Sequence, residues 1–224
     1  MKEKERKDVC WHKALFYVER AIEKENSESQ KAAIFWGRAG KFFHLAGIFY
    51  LSALCNERAA FLSSSVERAR WNLLMAAWDY SKSQDFKRAG ICWEKLAKLD
   101  EDQREFELAA RHFARAGANY FKAKLYLEAG QARERAGEIC FELGMVERGL
   151  RHLTLAGKNY FRAGNYQKSG ECALRVAKIQ ILKGEKKKAL RSLQLAWQDF
   201  KRISNKEGMR ECLELITRLF KKKK

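Results

Sequence analysis

The chain has 224 residues, 46% apolar and 12% aromatic, enough for a sizeable buried core, so wholesale disorder is excluded. No proline occurs and no stretch approaches the ~18 apolar residues of a membrane-spanning helix, the most apolar run being Leu45–Cys55. The formal charge of +18 is uneven: residues 1–102 hold 18 Lys and Arg against 15 Asp and Glu, residues 103–164 hold 11 against 7, and residues 165–224 hold 17 against 6. A field concentrated in the C-terminal quarter points to a polyanionic partner, whereas a solubilising lysine-rich surface is the plain alternative.

The first eight residues, Met1–Asp8, mix charges of both signs and lead into an amphipathic helix, unlike a signal peptide. The expectation is therefore a soluble, cytoplasmic protein without membrane insertion. Trp11, Leu15, Val18 and Ile22 stand three and four apart and predict a helix over 9–24. Glu25–Ser29 interrupts it, with Ser27 or Ser29 as the cap of the next helix.

From Gln30 the chain repeats. Ala39, Ala76, Ala116, Ala156 and Ala196 are equivalent positions, separated by 37, 40, 40 and 40 residues. Four residues after each of these anchors stand Phe43, Tyr80, Tyr120, Tyr160 and Phe200. Ten after stand Phe49, Phe86, Tyr126, Tyr166 and Lys206, and thirteen after, Ser52, Ala89, Ala129, Ser169 and Met209. Each unit reads as two helices joined by a tight turn. A fixed period of this size marks a stacked helical array, because one unit cannot bury its apolar face alone.

Breaks between units are expected at Ser63–Ser65, Asp100–Asp102, Gly144 and Gly184, and Ser64 with Glu67 has capping-box spacing. The units are thus 30–65, 66–102, 103–144, 145–184 and 185–220, in a single array over 1–224. The fifth departs from the pattern at Trp197 and Lys206, as a terminal unit without a neighbour should. Residues 205–220 read as its capping helix and 221–224 as a basic tail.

Gly157, Tyr160, Gly164, Tyr166 and Ser169, then Gly117, Tyr120, Tyr126 and Ala129, carry a resemblance to the tetratricopeptide repeat family over 30–220. Gly40, Phe43, Gly47, Phe49 and Ser52, and Tyr80, Phe86 and Ala89, follow it more loosely. The units exceed that family's ~34 residues and lack its closing proline, which makes them more similar to the SNAP branch of membrane-fusion adaptors. HEAT repeats have the length without this aromatic–glycine rhythm. The resemblance implies an all-α, right-handed superhelix (an α-solenoid) of about five antiparallel helix pairs, with an N-terminal helix and a C-terminal cap. It implies little about the partner.

Cys55, Cys92, Cys172 and Cys212 all lie sixteen residues after their anchors, a register that suits small buried residues at helix crossings. Equivalent positions in successive units are too far apart to bridge, and Cys10 and Cys140 pair with nothing evident. The histidines His12, His44, His112 and His152 show no metal-ligand spacing, and no phosphate-cradling glycine loop occurs. Neither cofactor nor metal nor catalysis is expected.

One constellation stands out. Five residues before the anchors come Ile34, Trp71, Arg111, Arg151 and Arg191, and six after come Leu45, Lys82, Lys122, Arg162 and Arg202. The resemblance implies that both positions face a concave groove, which Lys158 and Lys201 would join, with Phe121 and Phe161 alongside. No acidic residue occupies either position. A solvated helix face is the plain alternative. A cationic groove suits an acidic peptide or protein segment held through arginine hydrogen bonds, which makes the chain a non-enzymatic scaffold. The alternative is an RNA- or ribosome-binding protein using the basic C-terminal half. A SNAP-like adaptor on a membrane surface, aided by the lysine tail, is the third reading.

Overall fold

The structure, a computed structural model, describes residues 3–220. The tail 221–224 lies outside the described residues. Among the described residues there are eleven helices and no strand. They are α1 (Glu3–Glu25), α2 (Ser29–Leu45), α3 (Phe49–Leu62), α4 (Val66–Lys82), α5 (Phe86–Asp102), α6 (Phe106–Lys122), α7 (Tyr126–Glu142), α8 (Val146–Arg162), α9 (Tyr166–Leu182), α10 (Lys186–Arg202) and α11 (Lys206–Phe220). The architecture is all-α and built of helical repeats, and within each of two compact units consecutive helices pack as neighbours. Contacts divide the chain into two compact units: residues 1–123, with α1 to α6, and residues 124–224, with α7 to α11.

The turns explain the repeat length. Gly47, Gln84, Lys124, Gly164 and Ser204, each eight residues after an anchor, take positive φ between 56° and 80°. Arg104, Gly144 and Gly184 do the same at the other turns inside the two units, at φ 60° to 72°. The residue that follows reaches back to close a Schellman cap, as when the Asn165 N–H donates to the Tyr160 carbonyl at 2.9 Å. Within each unit, the helices joined by such three-residue turns fold back on one another.

Several helix ends differ from the sequence expectation. α1 runs from Glu3 to Glu25, longer than 9–24, and α2 is preceded by Glu28 rather than capped by Ser27 or Ser29. The cap of α4 is Ser65, not Ser64: its hydroxyl accepts from the Arg68 N–H at 3.3 Å and donates to Glu67. Ser64 instead gives its N–H to the Gln30 side chain. The expected break at Asp100–Asp102 lies inside α5, which ends at Asp102. Asp100 faces inward there, fully buried, 2.8 Å from Arg70 and 2.5 Å from His112. A buried acid between an arginine and a histidine looks in sequence like a solvated break.

The aromatic column four residues after the anchor is the main joint between pairs. Within unit 1 the Tyr120 ring lies on Gly90, and within unit 2 Tyr160 lies on Gly130 and Phe200 on Gly170, so close that a Cβ would meet the ring at 2.6 to 2.8 Å. The phenol hydroxyls then donate to a glutamate of the second helix beneath: Tyr80 to Glu57 at 2.9 Å, Tyr120 to Glu94 and Tyr160 to Glu134 at 2.7 Å. Where the ring is Phe200, the equivalent residue is Leu174, buried in the same apolar cluster. Ring and partner change together because a buried hydroxyl without an acceptor costs more than its absence.

The six cysteines are all buried and unbridged. Burial pushes the thiols of Cys55, Cys92 and Cys172 up to about 12 and that of Cys212 to about 11. They are protonated packing residues.

Candidate interaction surface

All nine cations singled out in the sequence lie on the first helices of the pairs and are exposed. Unit 1 holds Lys82 on α4 with Arg111 and Lys122 on α6. Unit 2 holds Arg151, Lys158 and Arg162 on α8 with Arg191, Lys201 and Arg202 on α10, Lys201 resting on the Trp197 ring of its own helix at 5.0 Å.

The two rows behave differently. In the row six residues after the anchor, each of three cations rests on the second aromatic of the preceding pair. Lys82 Nζ lies 4.5 Å from the Phe49 ring centre, Lys122 Nζ 5.0 Å from Phe86, and the Arg202 guanidinium 5.2 Å from Tyr166. These cation–π contacts link neighbouring pairs and hold the charged heads in place. In the row five before the anchor, Arg111 pairs with Glu107 of its own helix at 2.6 Å. Arg151 lines a shallow hollow of about 410 Å³ that also holds Glu147, Glu185 and Lys188. Arg191 stands exposed on α10.

Three of the nine meet in one place. Lys158, Arg162 and Arg202 line a hollow of about 500 Å³ between α8, α9 and α10, whose walls include Leu153, Val176, Leu195 and Phe161. The Arg202 guanidinium lies 5.2 Å from the Phe161 ring as well as from Tyr166, so it is braced by two aromatics. Asp199 sits at the base, its carboxylate accepting from the Ser169 hydroxyl at 2.6 Å. Burial raises the Asp199 pKa above the usual carboxylate range, and the Ser169 bond and Arg202 oppose that. Three cations against one acid leave the hollow positive.

Asp199 belongs to a column not anticipated from the sequence. Three residues after the last four anchors come Asp79, Asn119, Asn159 and Asp199, all buried. Asp79 accepts from Ser52 at 2.6 Å and lies 2.8 Å from the His44 ring. Asp199 is matched by Ser169, whereas Asn159 follows Ala129 and Asn119 follows Ala89. Acid therefore goes with serine and amide with alanine. The polar register was visible in the sequence, but its burial was not.

A second unforeseen group lies in unit 1, where Arg115 is 4.7 Å from Trp93 and 5.6 Å from Trp78, and Trp93 stacks on His112 at 5.3 Å. This stack fills the space between α4 and α6. In unit 2, His152 has Arg133 as its neighbour, at 3.3 Å. Burial, then Arg133 and the arginines beside it, bring the His152 pKa down to about 4.

Among the described residues no group of three or more His, Cys, Asp or Glu is placed to hold a metal ion, and no helix is long and apolar enough to cross a membrane. The chemistry on this face is charge, hydrogen bonding and aromatic stacking.

No protein-family model matches the chain, and no curated protein matches it. Among matching solved structures is the crystal structure of BtubC (BKLC) from P. vanneervenii, at 12% identity and a TM-score of 0.41, covering 98% of this chain and 91% of that one. Likeness at that level carries no argument about function.

Proposed function

We propose that this chain is a non-catalytic interaction scaffold of the tetratricopeptide-like kind, binding an acidic peptide or protein segment through the basic hollow of unit 2. One observation carries the reading: Lys158, Arg162 and Arg202 converge on a single concave space with apolar walls. A carboxylate entering it would accept charge-assisted hydrogen bonds from arginine, and the walls would cover the aliphatic part of the same segment. Unit 2 as a whole carries 24 Lys and Arg against 11 Asp and Glu, so long-range attraction favours an anionic partner.

The test is fluorescence anisotropy with a labelled peptide of alternating glutamate and leucine, with labelled single-stranded RNA as the second arm. Binding of the peptide that weakens at least about tenfold in the combined Lys158→Glu, Arg162→Glu, Arg202→Glu variant, with helicity unchanged, supports the reading. RNA binding with a steep salt dependence and no peptide binding would replace it with the nucleic-acid reading.

A further inference from the structure

We infer that unit 1 carries a second, independent binding site, a hollow between α2 and α4 that takes a peptide segment bearing a large apolar side chain flanked by carboxylates. The hollow is the larger of the two, about 760 Å³. The positions that carry cations in the later repeats are apolar here: Ile34, Leu45 and Trp71 all line it, at 38%, 49% and 63% exposure. Three large apolar side chains gathered in one concavity and left in water are what an apolar anchor would cover.

The hollow exists because of two small residues. Gly37 on α2 and Asn56 on α3 lie at its base. In the next pair the equivalent of Asn56 is Trp93, whose indole under Arg115 fills the corresponding space. The sequence therefore opens this gap in one repeat and closes it in the next.

Charge selects the occupant. Arg38, Lys41 and Arg68 also line it, and none has a carboxylate partner among the described residues, Arg38 resting on the Tyr17 ring at 5.6 Å. The one acid of the lining, Glu67, accepts a hydrogen bond from Ser65 at 2.8 Å, next to the α4 cap. The half-buried Asn72 amide also lines the hollow, its Oδ1 3.4 Å from where a Gly37 Cβ would stand, and makes no hydrogen bond among the described residues. It offers a donor and an acceptor to a peptide backbone. Uncompensated cations around an apolar base fit an acidic, amphipathic segment and repel a basic one.

The experiment is selection of a random peptide display library against the full chain, followed by affinity measurement of the enriched peptides. Enriched sequences should combine Leu, Ile, Met or an aromatic with neighbouring Asp or Glu. Their affinity should fall at least about tenfold in Trp71→Ala and in the Arg38→Glu, Lys41→Glu double variant, while the unit 2 variant with Lys158, Arg162 and Arg202 reversed binds them normally. Trp71 and both cations are exposed, so these changes leave the fold intact, as unchanged circular dichroism will show. Enrichment without acidic residues, no enrichment at all, or binding indifferent to Trp71 and the two cations would overturn the site. Loss only in the unit 2 variant would assign the peptides to that hollow instead.

Discussion

At the scale of single residues, stability depends on matched polar pairs inside the repeats. Removing the Ser169 hydroxyl leaves the buried Asp199 carboxylate without its shortest donor. Ser169→Ala should therefore destabilise by about 1–3 kcal/mol. Adding Asp199→Asn should recover most of this, because alanine with asparagine is the pairing found at Ala129 and Asn159. Denaturant unfolding of the single and double variants tests it; additive losses would sink the pairing rule. His152 sets a pH dependence. Its folded pKa of about 4 lies below the usual 6.5. Between those values the unfolded chain takes up a proton that the native state refuses, so stability falls as pH drops through that window. His152→Gln should flatten the loss between pH 7 and 5, read as a smaller change in denaturation midpoint.

At the scale of helices, packing overrides propensity. Gly130 lies inside α7, where alanine would be worth ~1 kcal/mol by helix propensity alone. A Cβ there would stand 2.7 Å from the buried Tyr160 ring, which is tied down by its bond to Glu134. Gly130→Ala should therefore destabilise, by about 1–3 kcal/mol, the sign opposite to propensity. Thermal melting of the variant decides it, and a raised midpoint would remove the ring-on-glycine joint from the account. The same joint explains why the first aromatic column was legible: three of its rings, Tyr120, Tyr160 and Phe200, each lie on a glycine of the preceding pair. Helix ends were less so. Asp100 resembles a break in sequence, yet it is fully buried between Arg70 and His112. Capping by Ser65 rather than Ser64 was decided by one residue of phase, which a run of three serines cannot express.

At the scale of the molecule, the charge of +18 is shared unevenly, unit 1 holding 22 Lys and Arg against 17 Asp and Glu and unit 2 holding 24 against 11. Unit 2 gathers cations around an apolar-walled hollow; unit 1 gathers apolar side chains with cations in the same lining. The anisotropy experiment addresses the first and the display selection the second, and the variants chosen for each leave the other untouched. Of the nine cations named from sequence, three share one hollow, while Arg111 is engaged by Glu107 and Lys82 and Lys122 rest on aromatics of the preceding pair. Repeat register places such residues on one face of each helix. Their neighbours come from other helices, and those neighbours decide whether a cation is available to a partner.

The sequence by itself determined that the chain is helical, that its helices come in repeating pairs, and which columns of small and aromatic residues join them. These follow from local periodicity and from residue types that only one kind of contact can use. Tertiary structure alone decided where the space is. Whether Asn56 opens a gap that Trp93 closes, whether Asp199 is buried against Ser169, and which cations converge all depend on side chains distant in sequence meeting across helices, and no local pattern encodes that distance.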